Sequence, residues 1–200
     1  MRDLLSCRGC RRLTSNLDKL RVRHPEWHNG PVPGIGPDHA NLLILGLAPG
    51  RLGANRTGMP FVGDRSSNWL SSRLTEAGLM DEQGRPIATR ITNAVKCLPP
   101  KNQPKVAEIT RCVQRWLTTE LHEANVVLAL GKVAHDAVLR GLGEPLARYT
   151  FAHGAIHTVG DLVLVDSFHP SPLNTQTGRL SIDDFSHVLE AAKQLALEPH

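Results

Sequence analysis

Aromatic residues are scarce in this chain: four Phe, three Trp and one Tyr in 200 positions. Eight rings do not furnish the broad stacking platform on which single-strand-binding proteins lay successive bases. No apolar run approaches the ~18 residues of a membrane span. The first twelve residues mix arginines with an acid where a signal peptide would carry an apolar stretch. A cytoplasmic protein with no membrane partner is expected. Internal repeats and low-complexity tracts are absent. Neither G-x-x-x-x-G-K-[ST] nor G-x-G-x-x-G occurs, so the common phosphate-loop and dinucleotide signatures are missing. With 40% apolar and 21% charged residues the composition excludes collagen-like repetition and disorder, and one domain spanning 1–200 is expected.

What is present is unevenly distributed. Residues 1–111 hold 17 basic and 9 acidic side chains, whereas 112–200 hold 6 and 10. A basic front half suggests a face for a polyanion, although folding can also mix such charges over the surface. Residues 25–40 are rich in Pro and Gly and read as an irregular connection, preceded by a short basic segment with helical character. Four short apolar runs come next, at Asn41–Leu47, Arg90–Val95, Asn125–Leu130 and Asp161–Val165, each suited to a strand buried on both faces. Helical spacing falls between and after them, at Asn68–Gly78, Pro104–Ala124, Lys132–Arg140 and Ile182–Leu197; residues 148–160 read as a small extended ribbon. The alternation predicts a three-layer α/β/α sandwich around a short, mainly parallel four-stranded sheet.

Ligands of such sheets bind beyond the carboxyl ends of the strands, which directs attention to the residues just after each run. The first run leads into Gly46-Leu-Ala-Pro-Gly50, Gly53-Ala-Asn-Arg-Thr-Gly58 and Pro60-Phe-Val-Gly-Asp64. Such a loop lets backbone approach a ligand, but a generic Gly/Pro-rich turn is the better reading of it in isolation. Asn93 lies toward the end of the second run; its amide is able to read the edge of a base, while most Asn residues there merely cap a turn. His169-Pro-Ser-Pro-Leu-Asn174 comes after the fourth run. Any one of ten histidines is a weak candidate. The joint placement of Asp64, Asn93 and His169 beyond separate strands is what a built site looks like.

The four cysteines are Cys7, Cys10, Cys97 and Cys112. A C-x-x-C pair plus two distant thiols suits a four-sulfur metal site, whereas disulfides are disfavoured without secretion and Cys7 and Cys10 sit in a polar segment with little core to join. Spacing alone does not separate Zn²⁺ from a [4Fe–4S] cluster. Either would make residues 1–40 a metal-tethered N-terminal segment.

Taken together, these stretches resemble the iron–sulfur uracil-DNA glycosylases. Gly46-Leu-Ala-Pro49, Gly53 to Gly58, Gly63-Asp64, Thr92-Asn-Ala-Val-Lys-Cys97, His169-Pro-Ser171 and Asn174-Thr-x-Thr-Gly-Arg-Leu180 look most like family 5, the B-type. Met59-Pro-Phe-Val is closer to family 4, yet Leu47 stands where family 4 usually carries Glu; Gly50-Arg-Leu-Gly53 and Pro172-Leu173 also depart from common family 5 wording. The resemblance runs in order from about Leu4 to Leu180. It implies a [4Fe–4S] cluster on the four cysteines, with zinc as the alternative. It also implies excision of uracil from DNA in base excision repair, with hypoxanthine and xanthine as further candidate bases. Asp64 would serve the attacking water or the sugar cation, His169 the departing base, and Asn93 its edge. Ala48, Pro49, Gly50, Phe61, Ser171 and Asn174 would complete the base site, while Leu173, Arg179 and Lys101 would meet the DNA. The implied partner is double-stranded DNA with deaminated bases, single strands remaining open, and the implied state is a monomer. Arg8, Arg11, Arg12 and the Lys96–Lys105 stretch would form a phosphate-contacting surface. The alternative from another class is a non-catalytic, metal-tethered protein that binds nucleic acid or nucleotides.

Overall fold

The apolar runs become strands because each side chain along them finds a covered face. In the computed structural model, which describes residues 3–198, β1 (Leu42–Gly46) and β3 (Val126–Leu130) are buried at every position. The outermost residues of the expected 1–200 domain and of its 1–40 segment, 1–2 and 199–200, lie outside the described residues. β2 (Thr89–Asn93) pairs in parallel with β1, β1 with β3, and β3 with β5 (Leu162–Ser167). The expected ribbon contributes β4 (Ile156–Val159), which pairs antiparallel with β5, so the sheet has five strands in the order β2-β1-β3-β5-β4 and not the expected four. β4 occupies an edge: Ile156 is exposed and Val159 buried, the half-covered alternation of a strand with one wet face.

Successive side chains of a strand point to opposite faces, and two core layers result. Leu43, Leu45, Val127 and Ala129 pack on one side with Leu13 of α1 (Arg11–Arg23) and with Ala137 and Val138 of α6 (Lys132–Leu142). On the other, Leu42, Ile44, Val126 and Leu128 meet Leu70 and Leu74 of α3 (Arg65–Glu76) and Phe185 and Leu189 of α8 (Ile182–Leu197). Between β1 and α3 lies a single turn, α2 (Ala54–Thr57), and the helix expected over Pro104–Ala124 is divided: α4 (Val106–Cys112) and α5 (Thr118–His122) flank one π turn, Val113–Leu117. That wide turn leaves both Val113 and Leu117 fully buried, and the Thr118 hydroxyl donates to the Val113 carbonyl at 3.0 Å. Among the described residues no helix is long and apolar enough to cross a membrane.

Candidate functional site

Three loops leave the carboxyl ends of β1, β2 and β5 and close around a recess of about 110 Å³, lined among others by Ala48, Gly50, Phe61, Asp64, Asn93, Asn102 and His169. Gly46, at the end of β1, lets two of its walls approach each other. A Cβ there would stand 2.4 Å from the Phe61 ring and 2.6 Å from Asn93 Oδ1, so the ring and the amide approach as they do only because that position has no side chain. Phe61 itself adopts φ +54°, a left-handed conformation unfavourable for a bulky residue and characteristic of strained functional positions.

Asp64 caps the N-terminus of α3. Its Oδ1 accepts from the Ser67 amide at 2.9 Å and the Ser67 hydroxyl at 2.7 Å, which fixes the carboxylate plane. Oδ2 lies over glycine backbone: a Cβ at Gly50 or Gly53 would come within 2.7 or 2.3 Å of it. Among the described residues no side chain or amide hydrogen-bonds Oδ2. His169 lies just beyond β5, its Cβ against Gly131, which takes φ +98° at the end of β3. Burial pushes the His169 pKa below the usual imidazole value, while the Asp64 charge pulls the other way. The site therefore presents a neutral imidazole beside a carboxylate.

Of the residues expected at the base site, Ala48, Gly50, Phe61 and Asn93 line this recess. Pro49, Ser171 and Asn174 are not among its walls. Ser171 caps a short helix, α7 (Pro172–Gln176), and Asn174 Nδ2 donates to the His169 carbonyl at 2.8 Å, so both hold the loop that carries His169. Asn102 lines the recess without being among the expected residues. It reaches in from the segment between Cys97 and Cys112, where Lys101 and Asn102 take φ +56° and +55°. The Pro99-Pro100 pair shortly before an Asn is the sequence signal that points to it, since Asn tolerates the left-handed region. Leu173 is 73% exposed on α7 and so is not a core residue behind the loop. The Arg179 guanidinium lies over the Phe168 ring at 4.4 Å. Arg51, Arg65 and Lys101 are exposed, adjoin recess residues in the chain, and have no carboxylate partner among the described residues.

The four cysteines are free and line one cavity, together with Leu13, Val95 and Trp116. Burial pushes Cys97 to about 12 and Cys112 to about 11; charge on the other sulfurs acts in the same direction. Four thiols crowded this way are a donor set that a bound cation would relieve, so these residues fit a group held by four sulfurs. The surrounding basic residues depart from expectation. Lys96 is 2% exposed and its ammonium pairs with Glu120 and Thr92, so it does not face a phosphate. Arg12 is engaged by Glu108 at 2.6 Å, and Arg8 by Asp18 at 2.6 Å. Part of the expected phosphate surface is thus spent on internal pairing, whereas Arg11, Lys101 and Lys105 stay exposed.

Comparison with known proteins adds to this geometry. Residues 33–193 match the family model of the uracil DNA glycosylase superfamily. A type-5 uracil-DNA glycosylase of Thermus thermophilus is 40% identical, over 98% of this chain and 96% of its own length. That of Pyrobaculum aerophilum is 37% identical over 94% and 88%. A type-4 uracil-DNA glycosylase of Archaeoglobus fulgidus is 33% identical over 67% of this chain and 59% of its own. With a recess at the strand ends, a neutral histidine facing a carboxylate, and likeness along nearly its full length, the chain belongs to the uracil-DNA glycosylase superfamily.

Proposed function

We propose that this protein is a monofunctional uracil-DNA glycosylase that hydrolyses the N-glycosidic bond of a base flipped out of DNA. The observation that carries the reading is the convergence of Asp64, Asn93, Phe61 and His169 on one recess. A base inside a duplex is out of reach, and extrusion costs a few kcal/mol, least for a mispaired base such as uracil opposite guanine. Phe61 stacks on the flipped ring, while the amides of Asn93 and Asn102 read its edge. As the bond breaks, positive charge develops on the sugar and negative charge on the base. A neutral His169 donates an N–H to the base oxygen that gathers the negative charge. Asp64 Oδ2, without a hydrogen-bond partner among the described residues, holds the attacking water or offsets the sugar cation. Leu173 is placed to fill the vacated stack, and Arg51, Arg65 and Lys101 to meet phosphates.

Cys7, Cys10, Cys97 and Cys112 would hold a [4Fe–4S] cluster. Bound there, it would cross-link the segment carrying Cys7 and Cys10 to the 97–112 segment that delivers Asn102. This reading takes the protein as one domain acting as a monomer on double-stranded DNA in the cytoplasm, with deaminated purines as secondary substrates.

Duplexes bearing uracil, hypoxanthine or xanthine, incubated with protein and then treated with alkali, test the reading. Strand breaks at uracil are expected, strongly reduced in Asp64→Asn and His169→Ala. Intact uracil duplex after prolonged incubation would leave only the non-catalytic binding reading.

A further inference from the structure

A second polar cluster lies under the His169 loop, unused by the reaction above. It joins His135 on α6, His157 on β4 and Asp166 on β5. Asp166 and His135 are 0% and 1% exposed, and the His157 side chain 17%. One Asp166 oxygen is 2.8 Å from His135 Nδ1, the other 3.3 Å from His157 Nε2. We propose that these three side chains form a second metal site, separate from the cysteines, that takes a divalent transition ion of the zinc class.

The surroundings of His135 decide where its proton sits. Its Nε2 lies 3.2 Å from the Tyr149 carbonyl oxygen, which only accepts, so Nε2 carries a hydrogen. A neutral His135 then turns the lone pair of Nδ1 on a buried carboxylate. That conflict is resolved by a proton, on the ring or on the carboxyl, or by a metal between the ligands. The metal satisfies all three groups at once. It accepts the Nδ1 lone pair, takes one Asp166 oxygen, and is within reach of His157 Nε2, since the ligand atoms all lie within 4.8 Å of one another. Nε2–H donating to a backbone carbonyl is the outer arrangement that orients metal-binding imidazoles.

The rings are held for the task. His135 meets Phe151 edge-on at 5.7 Å and His157 at 5.5 Å, and Tyr149 meets His157 at 5.8 Å. Two imidazoles and one carboxylate select against Mg²⁺ and Ca²⁺, which prefer oxygen alone, and suit Zn²⁺ with a fourth position left for water. The ion would clamp the edge strand β4 and α6 to β5, three residues before His169.

The test uses tag-free protein with all four cysteines retained. Calorimetric titration with Zn²⁺ is run in parallel on wild type and His157→Gln, whose partly exposed edge position tolerates the change. The cysteine cavity is common to both and cancels. Wild type should take up one more equivalent of Zn²⁺ than His157→Gln, and Zn²⁺ should raise the Tm of wild type alone. A second variant, Asp166→Ala with His135→Leu, refills the site with apolar groups and should lose the same equivalent while remaining folded. Equal Zn²⁺ uptake by wild type and both variants would overturn the proposal and leave a protonated His135 paired with Asp166.

Discussion

The recess and the cysteine cavity treat charge differently. Around the cysteines, Arg8, Arg12 and Lys96 are paired with the carboxylates of Asp18, Glu108 and Glu120, while Arg111 donates to the Gly9 carbonyl and Arg115 lies over Trp116. Around the recess, Arg51, Arg65 and Lys101 stand exposed, and Asp64 keeps one oxygen clear. A paired charge has its field already consumed, and separating a buried pair leaves an uncompensated ion. An unpaired one remains open to a ligand. The basic front half is therefore two populations, one that holds the fold together and one that faces outward.

The largest expected effect breaks the recess itself. His169→Ala and Asp64→Asn should each lower uracil excision by at least about 10²-fold, the scale of losing one preorganised electrostatic group, with duplex affinity nearly unchanged; single-turnover rates and a binding titration separate the two. Gly53→Ala comes next. Its Cβ would meet Asp64 Oδ2 at 2.3 Å, so the excision rate should fall ~10-fold or more with little loss of Tm, as for a misplaced catalytic group. The charge contrast is sharpened by salt. Removing Arg51, Arg65 or Lys101 should reduce the slope of log K against log[salt] by about 0.9 each, whereas Arg12→Ala should leave it unchanged and lower stability instead. Glu108 is held below the usual carboxylate range, first by the Arg12 hydrogen bond. That stabilisation is present above the ordinary Glu range and disappears as pH falls through the lowered one, so wild type and Arg12→Ala should converge in acid. The smallest effect is that of Leu173→Ala, expected to slow excision severalfold from duplex and not from single strands.

The histidine supplies a pH test of the same site. Burial lowers the His169 pKa and Asp64 opposes it. Asp64→Asn should therefore move the imidazole titration further down, measurable by NMR.

Much of this arrangement is legible in the residues and some of it is not. The strands at 42–46 and 126–130 arise from continuous apolar runs, because burial on both faces leaves no polar positions to obscure them; in β5 the apolar run ends at Val165, and the buried Asp166 and Ser167 that prolong the strand are not announced by it. β4 is harder to place in the sheet, since only Val159 in Ile156–Val159 is buried. Lys96 reads as a surface base because its partner, Glu120, lies 24 positions away on another element. Long-range pairing leaves no periodic trace. Asn93 and His169 are found by their position at strand ends, whereas Asn102 comes from further along the loop after β2, beyond Pro99 and Pro100. Ser171 and Asn174 share a motif with His169, and motif order does not distinguish a side chain that faces the recess from one that props the loop.

The decisive measurement is the single-turnover rate of uracil release from duplex by Asp64→Asn, with enzyme in excess and binding saturated. A rate at least about 10²-fold below wild type, with equal duplex affinity, is expected if the chemistry resides in this recess. A wild-type rate would contradict it.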